Sequence, residues 1–559
     1  MFKKNYKKGI FTVVGAVAIV TVGGAYLWTR TIGNIGKEFT PMEAAAMVPD
    51  KAWMGTYIST NSESWSKLNE TGYKIAENMV DRELDSLSRQ LLSKKINYDK
   101  DIDPWLGNIM IAKLPPDKKE LTLEPENLNV LAVIGIKDKL KAAMFIKNKI
   151  QGGANQNDIN SFKTRRYKGV LIIETKTQTN APLDIASIDD RLIMASDSET
   201  MNQAIDTMQG GPSFVDKLER QKIRLKNSSK ETALIRIYMP DYATLMKTSL
   251  RSSPKTRLAA RSLDKINDVE AIMMGLSVNE RGLLHFQTLA KLDPEENQAN
   301  TRIIPNEILS YLPNNTIALL NVGKLDIAWS SLLSTAAKDR IVKFNFNKYK
   351  KSFETSMNLD LERDVFSWMD GEFAVAVIPT NRGFLADYGL SAVAMWTTSQ
   401  RSRAEETLEK LEAKAQSFKD ISVRTSNVNG KEITEWLNFR GEKVLSYRWL
   451  NDKYLILTVG TPPDRTTNIQ ANNSISKDKT FTTIASYLPK TNEGYFYINN
   501  FDTIIEVLDR VFEDQSDSVT PEARAALSSV EAIALTTSVP KPFFSQLDIV
   551  MSFKSANTK

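Results

Sequence analysis

At 559 residues, 42% of them hydrophobic, the chain is long enough to bury a substantial core and too long for a single one, so two or more domains are expected. It has no Cys and one His, which excludes disulfides, thiolate nucleophiles, iron–sulfur clusters, cysteine-ligated zinc and any multi-histidine metal site. The formal net charge is +6, but setting aside four N-terminal lysines leaves 69 basic against 67 acidic residues, too even a balance for a nucleic-acid surface, and no nucleic-acid partner is expected.

The chain opens with MFKKNYKK, which carries Lys3, Lys4, Lys7 and Lys8 and no acid. Gly9 to Trp28 follows without a charged side chain, and that length of helix spans about 30 Å, the thickness of a bilayer core. Residues 1–30 are therefore read as a basic tail and transmembrane anchor, with the lipid bilayer as the partner of Gly9 to Trp28. Basic residues before the span, and Arg30 alone after it, predict a cytoplasmic N-terminus and an exported body. The apolar run exceeds a signal-peptide core and no A-x-A site follows, so the anchor is expected to stay uncleaved.

After the anchor, WMGTYISTN reads as a strand, and ESWSKLNETGYKIAENMVDRELDSLSRQLL as a helix by the spacing of Trp65, Leu68, Ile75, Met79, Leu84, Leu87 and Leu91. Ile109 to Leu114 is a strand stopped by Pro115-Pro116, NVLAVIGI is the next, and KDKLKAAMFIKNKI is a helix. YKGVLIIETKT and DRLIMASD are read as single strands, and SETMNQAIDTM as a helix with Ser198 at its N-cap. The segments Gly152 to Asn160 and Asp464 to Asp478 read as mobile loops.

The second half of the chain returns to the same pattern. VEAIMMGLSV from Val269 recurs as VEAIALTTSV from Val530, an offset of 261, and DKDIDPWLG from Asp99 faces ERDVFSWMDG from Glu362, which pairs Trp105 with Trp368. An alternating apolar strand follows each Trp. MVPDKAWMGTYISTNSESWSKL likewise resembles YLPNNTIALLNVGKLDIAWSSL. The fold class read from this is α+β, with mixed or antiparallel sheets, as two tandem homologous halves: residues 31–293 and 306–559, joined by a linker at 294–305.

Chemistry is sparse. His285 lies in GLLHFQTLAKL, where Leu284 and Phe286 take one face and His285 and Gln287 the other; a solvent-facing, incidental histidine that Gln could replace is the expectation. A serine–histidine–acid triad would have to use it, and no G-x-S-x-G elbow accompanies it. Asp99, Asp101 and Asp103 mimic the start of a calcium loop, but position twelve is Met110 rather than Glu. The acid–base–acid order recurs as Glu362, Arg363 and Asp364, which points to a salt-bridged corner. Trp53, Trp65, Trp105, Trp329, Trp368 and Trp396 are read as core anchors before stacking platforms. No catalytic residue, metal ligand or cofactor is assigned, and cofactor-binding residues stay unidentified.

The basic tail with its single helix, VPD…ISTNSESWSKL, DPWLG…IAKLPP and DDRLIMASD together resemble a cyanobacterial membrane-anchored family catalogued as a domain of unknown function, over nearly the whole chain. The resemblance implies a body tethered at the plasma or thylakoid membrane, in the periplasm or the thylakoid lumen, and supplies no catalytic residues. The expected function is a membrane-tethered interaction, assembly or scaffold protein without catalytic activity, acting within a membrane protein complex. A binding module for a lipid, pigment or other apolar ligand between the halves is the alternative, and a hydrolase using carboxylates or serine a third reading.

Overall fold

The computed structural model describes residues 38–67, 98–115, 129–144, 163–176, 182–225, 231–251, 268–294, 303–460, 473–511 and 521–554, apart from a few single positions within them. The predicted anchor, the loop at 152–160 and most of the helices expected after Glu63 and Lys137 lie outside the described residues. Among those described, no helix is long and apolar enough to cross a membrane.

Among the described residues the fold is α+β around one large antiparallel sheet of 20 strands. The first ten are β1 Met54–Ile58, β2 Leu106–Leu114, β3 Asn129–Ile136, β4 Lys163–Tyr167, β5 Val170–Lys176, β6 Pro182–Ile188, β7 Arg191–Ala195, β8 Glu231–Met239, β9 Val269–Asn279 and β10 Leu284–Leu292. The others are β11 Ala318–Gly323, β12 Glu372–Pro379, β13 Leu390–Thr397, β14 Ile421–Val428, β15 Lys431–Asn438, β16 Lys443–Trp449, β17 Tyr454–Val459, β18 Gly494–Asn499, β19 Val530–Ser538 and β20 Phe544–Phe553. The helices used below are α1 Pro41–Ala45, α2 Ser198–Met208, α3 Phe214–Arg220, α4 Tyr242–Arg251, α5 Leu325–Lys338, α6 Arg340–Met357, α7 Arg401–Gln416, α8 Lys479–Ala485, α9 Phe501–Val511 and α10 Pro521–Ser529.

Read inward from one edge, the strands run β4, β5, β6, β7, β3, β2, β1, β8, β9, β10. Read inward from the other, they run β14, β15, β16, β17, β13, β12, β11, β18, β19, β20. The two series meet at β10 and β20. Registers correspond as well as order: Ala112 faces Gly55 as Ala376 faces Leu319, and Ala290 faces Ile272 as Met551 faces Ile533. Both outer edges, KTRRY and ISVRTSNV, are polar and largely exposed, which guards the sheet against edge-to-edge addition.

One face of the sheet carries two cores. In the first, Ala44 and Ala45 of α1, Met201 and Ile205 of α2, and Phe214 of α3 pack on Tyr57, Met110, Leu131 and Tyr238. In the second, Ile308 and Leu309 of the short helical turn Glu307–Tyr311, and Phe481 of α8, pack on Leu319, Ala376, Val393 and Tyr497. Each core takes one residue from the other series: Phe544 enters the first and Leu283 the second. At about 1.5–3 kcal/mol per large apolar side chain, this exchange contributes to holding the series together. Gly494 sits at φ 115°, and a Cβ there would fall 2.0 Å from the Asn321 carbonyl oxygen, so the approach of β18 to β11 requires glycine.

Several sequence expectations change. YKGVLIIETKT holds the expected strand as β5 from Val170, but it opens on the last residue of β4 and a two-residue turn in which Lys168 (φ 44°) and Gly169 (φ 82°) are both left-handed. The cap of α2 is Asp197, whose carboxylate accepts from the Thr200 amide at 2.8 Å, and Ser198 is the first helical residue. Within the segment read as the loop 464–478, Ser474 bridges Pro313 and Ile475 is fully buried. At the end of the predicted linker, Ile304 is buried and donates to the Asn492 carbonyl, so that part docks on the second series.

Candidate functional site

The polar groups that stand out lie where β10 meets β20, between the two apolar cores. Along β10 the alternation places His285, Gln287 and Leu289 on the face that carries the two cores. His285 is 3% exposed, which corrects the expectation of a solvent-facing histidine. Alternation distinguishes two faces of a strand but not which of them is covered, and the groups that satisfy this histidine come from far along the chain.

His285 Nδ1 lies 2.8 Å from Glu231 Oε1, and Nε2 lies 2.9 Å from Asp548 Oδ1. All three side chains are buried, at 4%, 1% and 0% exposure. Burial opposes the ring's charge, but the hydrogen bonds to Asp548 and Glu231 outweigh it and push the pKa from 6.5 up to about 9. At neutral pH the ring is therefore an imidazolium that donates from both nitrogens. Gln287 Nε2 donates to Asp548 Oδ1 at 2.9 Å and Gln546 Nε2 to Oδ2 at 2.8 Å, so both oxygens of that carboxylate are held.

Beside this chain, Arg236 lies across Gly275 and donates to Ser277 Oγ at 2.8 Å and to the Leu276 carbonyl at 3.1 Å. A Cβ on residue 275 would fall 2.5 Å from the guanidinium, so the glycine makes room for it. Two acids, a histidine and an arginine thus share one buried seam. Glu231 Oε2 and Gln287 Oε1 are buried there without a hydrogen-bond partner.

Gln287 lies directly opposite Asp548 in the ladder, and the two are 261 residues apart, the same offset that relates VEAIMMGLSV to VEAIALTTSV. The seam is thus centred where the two strand series cross over. The turns beside it interlock: Asn279 at the end of β9 donates to the Tyr487 hydroxyl at 2.7 Å, while Lys541 before β20 donates to the Lys222 carbonyl and lies 3.9 Å from the Phe544 ring. Between the first turn and α8 lies a groove of about 430 Å³ lined by Asn279, Glu280, Arg281, Thr483, Ser486 and Tyr487, a polar wall.

This geometry fixes what the histidine can do. A general base needs a free ring nitrogen within reach of a nucleophile, and here carboxylates hold both. Ser277 lies opposite His285 in the ladder, yet its hydroxyl accepts from Arg236. The arrangement is a charge-paired lock between strands.

The other candidates lie elsewhere. Trp105 and Trp368 are 4% and 3% exposed, and each indole donates four residues back, to the Asp101 carbonyl at 2.7 Å and the Asp364 carbonyl at 3.1 Å. Both are core anchors, as expected. Asp364 pairs with Arg363 at 2.9 Å and Lys410 at 3.0 Å, the salt-bridged corner the sequence pointed to; hydrogen bonding from Arg363 holds its carboxyl well below the usual range. Trp329 stacks on Phe366 with centroids 4.2 Å apart, and Trp396 packs on Phe373 at 5.0 Å. Trp65 donates to the Ser59 carbonyl at 2.8 Å.

Reading the sequence missed the seam because Glu231 and Asp548 lie 54 and 263 residues from His285. A signal was present: Gln287 and Asp548 are polar residues at matched positions in both series. No curated protein and no solved structure is detectably similar to the chain. One family model covers residues 11–553, and the chain belongs to the family that it defines, Protein of unknown function (DUF3352).

Proposed function

We propose that this protein is a membrane-tethered interaction or assembly protein without catalytic activity, held by Gly9 to Trp28 with its body in the periplasm or thylakoid lumen of a cyanobacterium. In this reading the body arose by tandem duplication of an α+β unit, 31–293 and 306–559 with the linker 294–305. The shared strand order, the matched registers and the paired tryptophans support the duplication. The apolar stretch and its basic flank support the anchor.

The observation that carries the interaction role is the sheet face opposite the two cores. Leu320, Phe496, Leu535, Ile549, Phe286 and Leu276 sit directly opposite one another on successive strands, an apolar row that crosses from one series into the other. Leu320 and Phe496 are 42% and 40% exposed, and the others are half-buried. Trp65 packs with Leu276, and Phe501 of α9 packs beside the row with Ile498 and Met551, so its open part centres on Leu320 and Phe496; an exposed apolar patch on a folded body marks a binding surface. The described groove between the series is polar, which does not favour an apolar ligand there, and the engaged ring nitrogens of His285 leave a serine hydrolase without its base.

The test places a photo-crosslinking amino acid at Phe496 and, as a control, at the exposed Lys431, in the full chain expressed in its native membranes. A discrete protein adduct of defined mass from position 496 alone supports the reading. Adducts with lipid or another small molecule alone transfer it to the ligand-binding alternative, and no adduct at either position contradicts it.

A further inference from the structure

From α6 we infer a second contact with the bilayer: the exposed side of this helix around Ser352, with aromatics along one edge and lysines along the other, docks on anionic lipid head groups. It adds to the proposed tether a surface that sets how the body lies on the membrane.

The 18 residues of α6 carry Arg340, Lys343, Lys348, Lys350 and Lys351 against the single acid Glu354. The helix packs on α5 through Phe346, whose ring centroid is 5.4 Å from that of Trp329. Three and seven residues on from Phe346, and so along the same stripe, stand Tyr349 and Phe353. These run past the packed position into solvent, at 73% and 44% exposure. Lys350 is engaged by Glu354 and Glu362, whereas Lys348 and Lys351 project from the exposed side of the helix.

Two large exposed aromatics flanked by lysines are poorly matched to bulk water. They match the bilayer interface, where ring bodies enter the acyl boundary and ammonium groups meet lipid phosphates. Charge complementarity selects an anionic surface, since a neutral bilayer satisfies the rings but not the lysines. The stretch at the same offset as the tryptophan pair, Glu77 to Lys94, is not basic in this way: it has four acids, Glu77, Asp81, Glu83 and Asp85, against three bases.

The absence of native cysteine allows a single label. Ser352→Cys, in the exposed face of α6, is labelled with a fluorophore in the full chain and reconstituted into nanodiscs of phosphatidylcholine, with or without phosphatidylglycerol, that carry a lipid-borne quencher. Lys431→Cys is the control. Quenching at 352 only in anionic discs, with the control unquenched, is the expected result. Lys348→Gln with Lys351→Gln should weaken the contact roughly 30-fold and abolish most of the quenching. Tyr349→Ser with Phe353→Ser should also reduce it. All four side chains are exposed, and circular dichroism checks that the variants fold. Equal quenching in both kinds of disc, none in anionic discs, or full quenching in the lysine variant overturns the inference. Retention of the chain in the disc reports separately on the anchor, so failure of the tether and failure of the α6 contact are distinguishable.

Discussion

Replacing His285 by Gln removes the cation that touches both Glu231 and Asp548. The rise of its pKa from 6.5 to about 9 corresponds to on the order of 3 kcal/mol in favour of the folded state, at about 1.4 kcal/mol per unit. Gln keeps one donor, but it removes the cation paired directly with two buried acids, a class of change that costs about 3–5 kcal/mol. A loss of about 3 kcal/mol is therefore expected, far from the neutrality a solvent-facing residue would show. The sign of the pH dependence follows from the same shift. Because the folded pKa lies above the unfolded one, the stabilisation is fully present below pH 6.5 and is lost as pH rises through about 9. Urea unfolding of the full chain in detergent, followed by tryptophan fluorescence from pH 6 to 10, measures both. Wild type should lose about 1.4 kcal/mol per pH unit between pH 6.5 and about 9 from this group and none outside that range, and the variant should lack that component. A variant within about 0.5 kcal/mol of wild type with the same pH slope would refute the assignment.

Other expectations follow from individual contacts. Gly275→Ala drives a methyl into the Arg236 guanidinium and should cost about 1–3 kcal/mol by overpacking, read as a lower urea midpoint. Trp105→Phe and Trp368→Phe each remove an indole hydrogen bond to a carbonyl four residues back and should lose similar amounts, about 1–2 kcal/mol, in the same assay. Asp364→Asn breaks the pairs with Arg363 and Lys410 and should cost about 1–3 kcal/mol at neutral pH. Its folded pKa is depressed, so that stabilisation is present above the ordinary carboxylate range and lost as pH falls through the lowered value; the variant and wild type should converge in strong acid.

Much of the architecture was legible in local patterns. NVLAVIGI reads directly as the buried strand β3, since a strand covered on both faces is a continuous apolar run. The alternation in IMIAKL, and in the strand that follows Trp368, locates β2 and β12. The two tryptophans announced their matched positions because the DPW and FSW contexts are distinctive. What stayed hidden depended on position in space. The polar edge strand KTRRY carries no apolar alternation, and a Lys at positive φ disguised the turn that follows it. His285 looked like a surface residue because its acids belong to strands that meet it only once the sheet is assembled.

The two series of strands form one sheet through β10 and β20. Thr288 and Leu547 lie directly opposite each other in that ladder, and Phe286 lies opposite Ile549, four residues from Ser545. Thr288→Cys with Leu547→Cys, in the naturally cysteine-free full chain, should form a disulfide under mild oxidation, read by mass and by altered mobility on denaturing gels. The off-register pair Phe286→Cys with Ser545→Cys should not. A disulfide confined to the matched pair is the predicted result, and failure of that pair to close, or equal closure of both, would contradict the junction on which the seam and the continuous apolar face depend.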